Sequence, residues 1–238
     1  MILMNPMMFG GAAAPAGDPY AANVVLHLIG SGANGSTTFT DTSPTPKTVT
    51  VFGDAQISTA RSKLGDSSML FDGVGDYASL TDSADWDFAA GSGTIEAWVY
   101  IATGTPALRR FLAQTDTGGA FGVNLFGTEG TGKFQAASLT SDASTYINCV
   151  GTTVAAANTW HKVSWSVDAV SARLHVNGIL ESTVARAGLT FYNSTFPLHI
   201  GRNGSFNGFY WNGNIERLRI TKGVARYSSS NYDPLTVP

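Results

Sequence analysis

The 238-residue sequence predicts an all-β fold built as a sandwich, jelly roll or barrel, and three observations carry that reading. Short runs rich in β-branched and aromatic residues recur along the chain, each bounded by Gly, Ser, Thr, Asn or Asp. No segment of about 11 residues keeps apolar side chains at i, i+3, i+4 and i+7, the signature of an amphipathic helix. The polar surface is hydroxylic rather than ionic: charged residues are 13%, and Ser with Thr make up about a fifth of the chain.

The chain begins Met1-Ile2-Leu3-Met4-Asn5-Pro6-Met7-Met8-Phe9 and continues in small residues to Ala16. No Lys or Arg precedes the apolar part, and Pro6 interrupts a run already too short for a signal-peptide core. Residues 1–19 therefore read as an extended arm, with Met4, Met7, Met8 and Phe9 as its partner-docking side chains. An exposed Met-rich tail is a liability for a free monomer, which favours a homo-oligomer or a chain ordered by partners.

Residues 20–238 read as one domain. Strands are expected at 23–29, 48–52, 68–71, 77–80, 93–101, 110–115, 121–126, 133–139, 146–150, 161–168, 172–176, 198–201 and 215–221. Short helical or 3₁₀ turns are expected at 82–86 and near 58–63. Asn177-Gly178 and Asn212-Gly213 each sit between apolar flanks and read as type I′ hairpin turns, whose two central residues need positive φ. In the last strand Leu218 and Ile220 share the inward parity, leaving Arg217 and Arg219 to solvent.

Charge and cysteine content exclude several classes. A formal net charge of −3 leaves no positive field for nucleic acid or an anionic membrane surface. One cysteine, Cys149, excludes an intrachain disulfide framework and a cysteine-based zinc cage. No apolar run approaches the roughly 18 residues of a helical membrane span.

Six segments, in order, resemble a known family. They are Phe71-Asp72-Gly73-Val74-Gly75-Asp76-Tyr77, Thr94-Ile95-Glu96-Ala97-Trp98-Val99, Trp160-His161-Lys162-Val163, Leu174-His175-Val176-Asn177-Gly178, Leu198-His199-Ile200-Gly201 and Gly213-Asn214-Ile215-Glu216-Arg217-Leu218-Arg219-Ile220. Together they resemble a laminin-G-like domain of the concanavalin A-like lectin/glucanase superfamily, which implies a jelly roll of two curved antiparallel sheets. Asp18-Pro19-Tyr20 running into Asn23-Val24-Val25-Leu26, the stretch Asn34-Gly35-Ser36-Thr37-Thr38-Phe39-Thr40-Asp41, and Thr221-Lys222-Gly223-Val224-Ala225-Arg226-Tyr227 resemble the ends of laminin-G-like proteins encoded by tailed bacteriophages. That likeness implies a virion component, as capsid decoration, head fibre or tail fibre, with other virion proteins and surface glycans as partners. A purely architectural protein and a secreted bacterial adhesin are the alternatives.

The superfamily includes glycoside hydrolases, whose retaining members need two carboxylates about 5–5.5 Å apart. The glucanase branch supplies them as Glu-x-Asp-x-x-Glu on one strand. This chain has only Glu96, Glu129, Glu181 and Glu216, none with a carboxylate two residues away, so no catalytic residue is assigned and a non-enzyme is expected. His27, His161, His175 and His199 lie singly within strand patterns, without metal-ligand spacing, and read as hydrogen-bonded sandwich residues. Cys149 reads as a packed small hydrophobe.

The resemblance allows one cofactor, a structural Ca²⁺ at Asp72, Gly73 and Glu216, although the family usually has Asp where Glu216 stands. Aromatics among Asn and Gly in Arg202-Asn203-Gly204-Ser205-Phe206-Asn207-Gly208-Phe209-Tyr210-Trp211-Asn212 suit sugar rings and hydroxyls. The candidate carbohydrate-binding set is Asn203, Phe206, Tyr210, Trp211 and Asn212. The competing reading, favoured by the shared parity of Phe209 and Trp211, closes the sandwich edge with those two rings. Trp98 and Tyr100, on the parity of Glu96, are a second candidate surface, while Trp160 and Trp165 are expected in the core.

Overall fold

A computed structural model describes residues 17–102, 108–115, 122–204, 208–228 and 230–235. Its strands are β1 (Val24–Leu28), β2 (Thr50–Phe52), β3 (Gln56–Ser58), β4 (Ser68–Asp72), β5 (Tyr77–Leu80), β6 (Gly93–Ile101), β7 (Arg109–Thr115) and β8 (Gly122–Thr128). They continue as β9 (Lys133–Leu139), β10 (Tyr146–Val154), β11 (Thr159–Val167), β12 (Ser171–Val176), β13 (Ile179–Ala185), β14 (Leu198–Ile200) and β15 (Asn212–Lys222). An 8-stranded sheet runs β13-β12-β11-β6-β15-β4-β3, with β1 also paired to β15. A 7-stranded sheet runs β10-β9-β8-β7-β14-β5-β2. All strand pairs are antiparallel, and the two sheets enclose one apolar core, as in a jelly-roll sandwich.

The core is aromatic at its centre. Trp165 meets Phe126 edge-on at 5.4 Å between centroids, and Trp211 meets Phe111 edge-on at 5.5 Å. Such pairs add about 0.5–1.5 kcal/mol each beyond area burial. Cys149 is buried in the same core, where loss of water pushes its thiol up to about 11.

Period-two alternation placed thirteen strands within a few residues of where they lie, because each has one face on this core. The misplacements are local. Residues 58–63 form no helix: β3 ends at Ser58, and the backbone N–H groups of Lys63, Leu64 and Gly65 donate to the Glu216 carboxylate instead of to carbonyls one turn back. The turn expected at 82–86 is a 3₁₀ turn at Ala84–Trp86, capped by the Ser83 hydroxyl, and a second one at Ala21–Asn23 carries no sequence signal. Asn177 (φ 51) and Gly178 (φ 80) form the expected hairpin turn, which makes β13 the return strand. Asn212-Gly213 is not a turn but opens β15, where a Cβ on Gly213 would fall 1.9 Å from the Tyr100 carbonyl oxygen.

Arg219 is the main correction. A bulge with Arg217 at φ 51 falls between Glu216, opposite Trp98, and Arg219, opposite Glu96. It sets Glu216 and Arg219 on one outward face while Leu218 and Ile220 stay in the core. That outward face is not solvent, and Arg219 is only 4% exposed.

Candidate functional site

Each sheet has an outward face, and chemistry on the two differs. The first, 8-stranded sheet projects Thr94, Glu96, Trp98 and Tyr100 from β6, Lys162 and Ser164 from β11, and Glu216 and Arg219 from β15. Glu96 accepts from Lys162 Nζ at 2.8 Å, Arg219 Nη2 at 2.6 Å and the Tyr227 hydroxyl at 2.5 Å. Burial disfavours its charge, yet Lys162 and Arg219 overcome that and hold the carboxyl down at about 2. Burial, with Glu96 behind it, pushes the Tyr227 hydroxyl far above its usual range, so it stays a donor.

The two chain ends seal this face. Asp18 bridges Arg219 Nη1 at 3.1 Å and Arg226 Nη2 at 2.7 Å, while the Arg226 guanidinium lies 5.2 Å from the Tyr20 ring. Tyr227 stacks on Tyr232 at 3.9 Å, and the Tyr232 hydroxyl reaches Ser164 Oγ at 2.8 Å. Further along, Arg61 lies over Tyr100 and Lys63 over Trp98, both at 5.0 Å. Trp98 and Tyr100 are thus roofed and buried, and offer no open surface.

Roofing also decides the Ca²⁺ candidate. Both carboxylate oxygens of Glu216 accept backbone N–H groups, at 2.5 Å from Lys63 and 2.9 Å from Leu64 and Gly65. N–H donors surround that carboxylate where a cation would need oxygens, so the residues do not fit Ca²⁺. Asp72 accepts from Val74 N–H at 2.6 Å and closes a turn. Among the described residues no group of three His, Cys, Asp or Glu side chains is placed to hold a metal.

The other glutamates are engaged as well. Glu129 accepts from Thr131 and Lys133 N–H groups, and Glu181 accepts from Thr152 and Thr153 N–H at 2.8 and 3.0 Å, tying β13 to β10. The histidines are held singly: His27 beside Thr42, His161 beside Asn177, His175 against the Ser230 carbonyl and His199 against Arg202.

The described residues of the 202–212 segment meet β7: the Asn203 and Tyr210 carbonyls accept from its Thr115 and Arg109 side chains, and the Phe209 carbonyl accepts from Arg110 N–H. Trp211 is fully buried, so it is a core residue and cannot stack on a ligand. Asn203 is buried, its carbonyl accepting from Thr115 Oγ1 at 2.9 Å. The Tyr210 carbonyl accepts from Arg109 Nη1, and Asn212 pairs with Asp72 across β4. Phe206 and the arm residues Met4, Met7, Met8 and Phe9 lie outside the described residues.

What sequence reasoning missed is the outward face of the second, 7-stranded sheet. Ala78 and Leu80 of β5, with Leu198 and Ile200 of β14, point into the core, so Tyr77, Ser79 and His199 point out. Phe52, 39% exposed, stacks on Tyr77 at 4.4 Å with 8° between the planes. The Arg202 guanidinium lies 3.6 Å from the Tyr77 ring centroid and donates from Nη2 to His199 Nε2 at 2.9 Å. Burial, aided by Arg202, lowers His199 to about 4, which keeps it neutral and able to accept.

Further across the same face, Arg110 of β7 opposes Gly127 of β8, which opposes Gln135 of β9. Gln135 Nε2 donates to Asn148 Oδ1 at 2.9 Å, and the exposed Tyr146 hydroxyl accepts from Gly122 N–H at 3.1 Å. This face therefore combines stacked rings, a linked amide pair and guanidinium groups. Only tertiary pairing could reveal it, because its members come from β2, β5, β7, β9, β10 and the residue pair after β14.

A family model described as the concanavalin A-like lectin/glucanases superfamily matches residues 72–226. The chain belongs to this superfamily. No curated protein matches the chain in sequence. Among solved structures, domain 4 of AbnA, a GH43 extracellular arabinanase from Geobacillus stearothermophilus in complex with arabinotriose, superposes with a TM-score of 0.62 at 16% identity, covering 90% of this chain and 97% of that one. The binding domain of Paraclostridial Mosquitocidal Protein 1 superposes with a TM-score of 0.65 at 13% identity, covering 86% and 50%. The receptor-binding domain of botulinum neurotoxin D gives 0.61 at 12% identity, again covering 86% and 50%. This member of the superfamily thus spans about half of the toxin chains it matches, and at these identities the likeness is one of fold.

Proposed function

We propose that the protein is a non-catalytic, lectin-like jelly roll that binds surface glycans and is displayed on a bacteriophage virion as a capsid decoration, head fibre or tail fibre. The observation that carries the glycan reading is the outward face of the second sheet. At its β2–β5 edge the Phe52–Tyr77 stack lies beside the Arg202 guanidinium and His199, flat rings and polar groups that suit the apolar face of a sugar ring and its hydroxyls. The arabinanase domain matched over almost its whole length was solved with arabinotriose, which supports the same reading. All four glutamates are bound to backbone donors, hydroxyls or cations, which supports a role without general acid–base chemistry.

Virion display rests on the phage-like chain ends, whose Asp18, Tyr20, Arg226 and Tyr227 meet on one side of the first sheet. Many copies on a particle turn weak single-site affinity into avidity. The test prints the full chain at high density against a glycan array, alongside Phe52→Ala. Binding by the parent that drops in Phe52→Ala, with an unchanged melting transition, supports the reading. A flat array at every density leaves the architectural role in its place. Particles purified from the source phage should contain the chain by mass spectrometry, and its secretion as a free protein would overturn virion display.

A further inference from the structure

The Phe52–Tyr77 stack is one end of a longer strip. β2 and β5 pair as Phe52↔Tyr77, Val51↔Ala78 and Thr50↔Ser79. Ala78 faces the core, so the two flanking pairs, rings and then hydroxyls, share the outward face. Beyond the ladder the two segments stay close. Thr48 and Thr81, both exposed, line one pocket of about 270 Å³ together with Lys47, Leu80, Asp82 and Ser83. Four residues separate Phe52 from Thr48, up to about 13 Å of extended chain.

The strip is hydroxylic after its rings, and its charges are already matched. No described residue takes up the side-chain hydroxyl of Thr48, Thr50, Ser79 or Thr81. Lys47 Nζ uses its three donors on Asp85 Oδ2 at 2.7 Å and on the Val25 and Thr45 carbonyls at 2.9 and 3.3 Å. Asp82 Oδ1 accepts from Gln114 Nε2 at 2.8 Å. Among the described residues the pocket therefore holds no spare cation for an acidic ligand.

Asp82 and Ser83 also line a smaller cavity of about 10 Å³, with Trp86 and Asp87 in its wall. That volume holds one oxygen. The Trp86 indole Nε1 is buried without a hydrogen bond, so this wall residue carries a free donor close to carboxylate acceptors. A hydroxyl accepts from the one and donates to the other, whereas a carboxylate or an ammonium does only half of that.

We propose that the glycan lies along the β2–β5 ladder, with one sugar on Phe52 and another in the Thr48–Thr81 pocket, one of its hydroxyls turned towards Trp86. The ligand is then a neutral oligosaccharide rather than a single sugar or an acidic chain. This inference rests on the glycan-binding reading and adds the direction, minimum length and charge class of what is bound.

The test titrates the full chain with linear arabino-oligosaccharides, cello-oligosaccharides and oligogalacturonides of one to six residues. In a neutral series affinity should rise about tenfold or more from the monosaccharide to a plateau, the scale of one or two further hydrogen bonds. Thr48→Val combined with Thr81→Val should erase that gain and leave the melting temperature and monosaccharide binding unchanged. Gln135→Ala, on β9 of the same sheet, should keep the gain. A monosaccharide that binds as tightly as the longest oligomer overturns the extended site and leaves glycan binding standing. A gain that survives the double variant, or is lost in Gln135→Ala, overturns the β2–β5 path. Tighter binding of oligogalacturonides than of both neutral series overturns the charge class. Binding to none of the three overturns the inference, and a flat glycan array as well would remove the reading beneath it.

Discussion

The two outward faces of the sandwich bury arginines to a similar depth but treat them differently. Arg219 on the first sheet is 4% exposed and meets Glu96 and Asp18, while Arg110 on the second is 7% exposed and meets no carboxylate among the described residues. On the first, Glu96 of β6 and Asp18 supply the counter-charges, and the chain ends with residues 61–65 supply the roof. On the second, the Phe52–Tyr77 stack carries Arg202 at its side, and Arg110, apart from them, has no counter-charge among the described residues. A closed network stabilises and an open one recruits.

The sharpest way to break the comparison is to remove one partner from the closed side. Glu96→Gln leaves Lys162 and Arg219 buried against a neutral amide and should cost about 3–5 kcal/mol of stability by denaturant titration. Arg110→Gln, removing a charge of similar burial, should cost almost nothing. Equal losses would erase the distinction between the faces.

Trp211→Ala comes next. Its ring lies against Phe111 in the core, so truncation should cost about 3–5 kcal/mol in the same titration. A stable Trp211→Ala protein that has lost glycan binding would return the ligand site to the 202–212 segment.

Acid should then separate the networks by pH. His27 and His199 fall from 6.5 to about 4 on folding, so the unfolded chain binds protons there that the folded chain refuses. Their contribution is complete above pH 6.5 and declines as the pH falls to 4. Glu96 falls from 4.5 to about 2, so its contribution is complete above pH 4.5 and is lost as the pH drops towards 2. Melting temperature against pH should descend in two stages, and Glu96→Gln should shrink the lower one, which Asp18, Asp85 and Asp168 share. A flat profile from pH 7 to 4 would show that both histidines are protonated without cost.

Much of this was legible in the sequence because the sandwich core imposes period-two alternation on every strand. The type I′ turn at Asn177-Gly178 was legible for the same local reason, two residues that tolerate positive φ. Arg219 faces outward as its parity predicts, but its burial was not legible, because the Asp18 and Tyr227 that roof it come from distant parts of the chain. The bulge at Arg217, which nothing local marks, instead brings Glu216 onto that face. The 202–212 segment carried the right composition for sugars, but Trp211 faces the core. The face that carries the Phe52–Tyr77 stack was invisible because its members come together only through the order of the second sheet.

The most direct test of the central claim is an amide chemical-shift map of the full chain titrated with the array's strongest-binding oligosaccharide. Perturbed amides should cluster at Phe52, Tyr77, His199 and Arg202, with Glu96, Lys162 and Tyr227 unmoved. Shifts centred on Tyr227, Lys63 and Trp98, with the Phe52–Tyr77 stack silent, would contradict it.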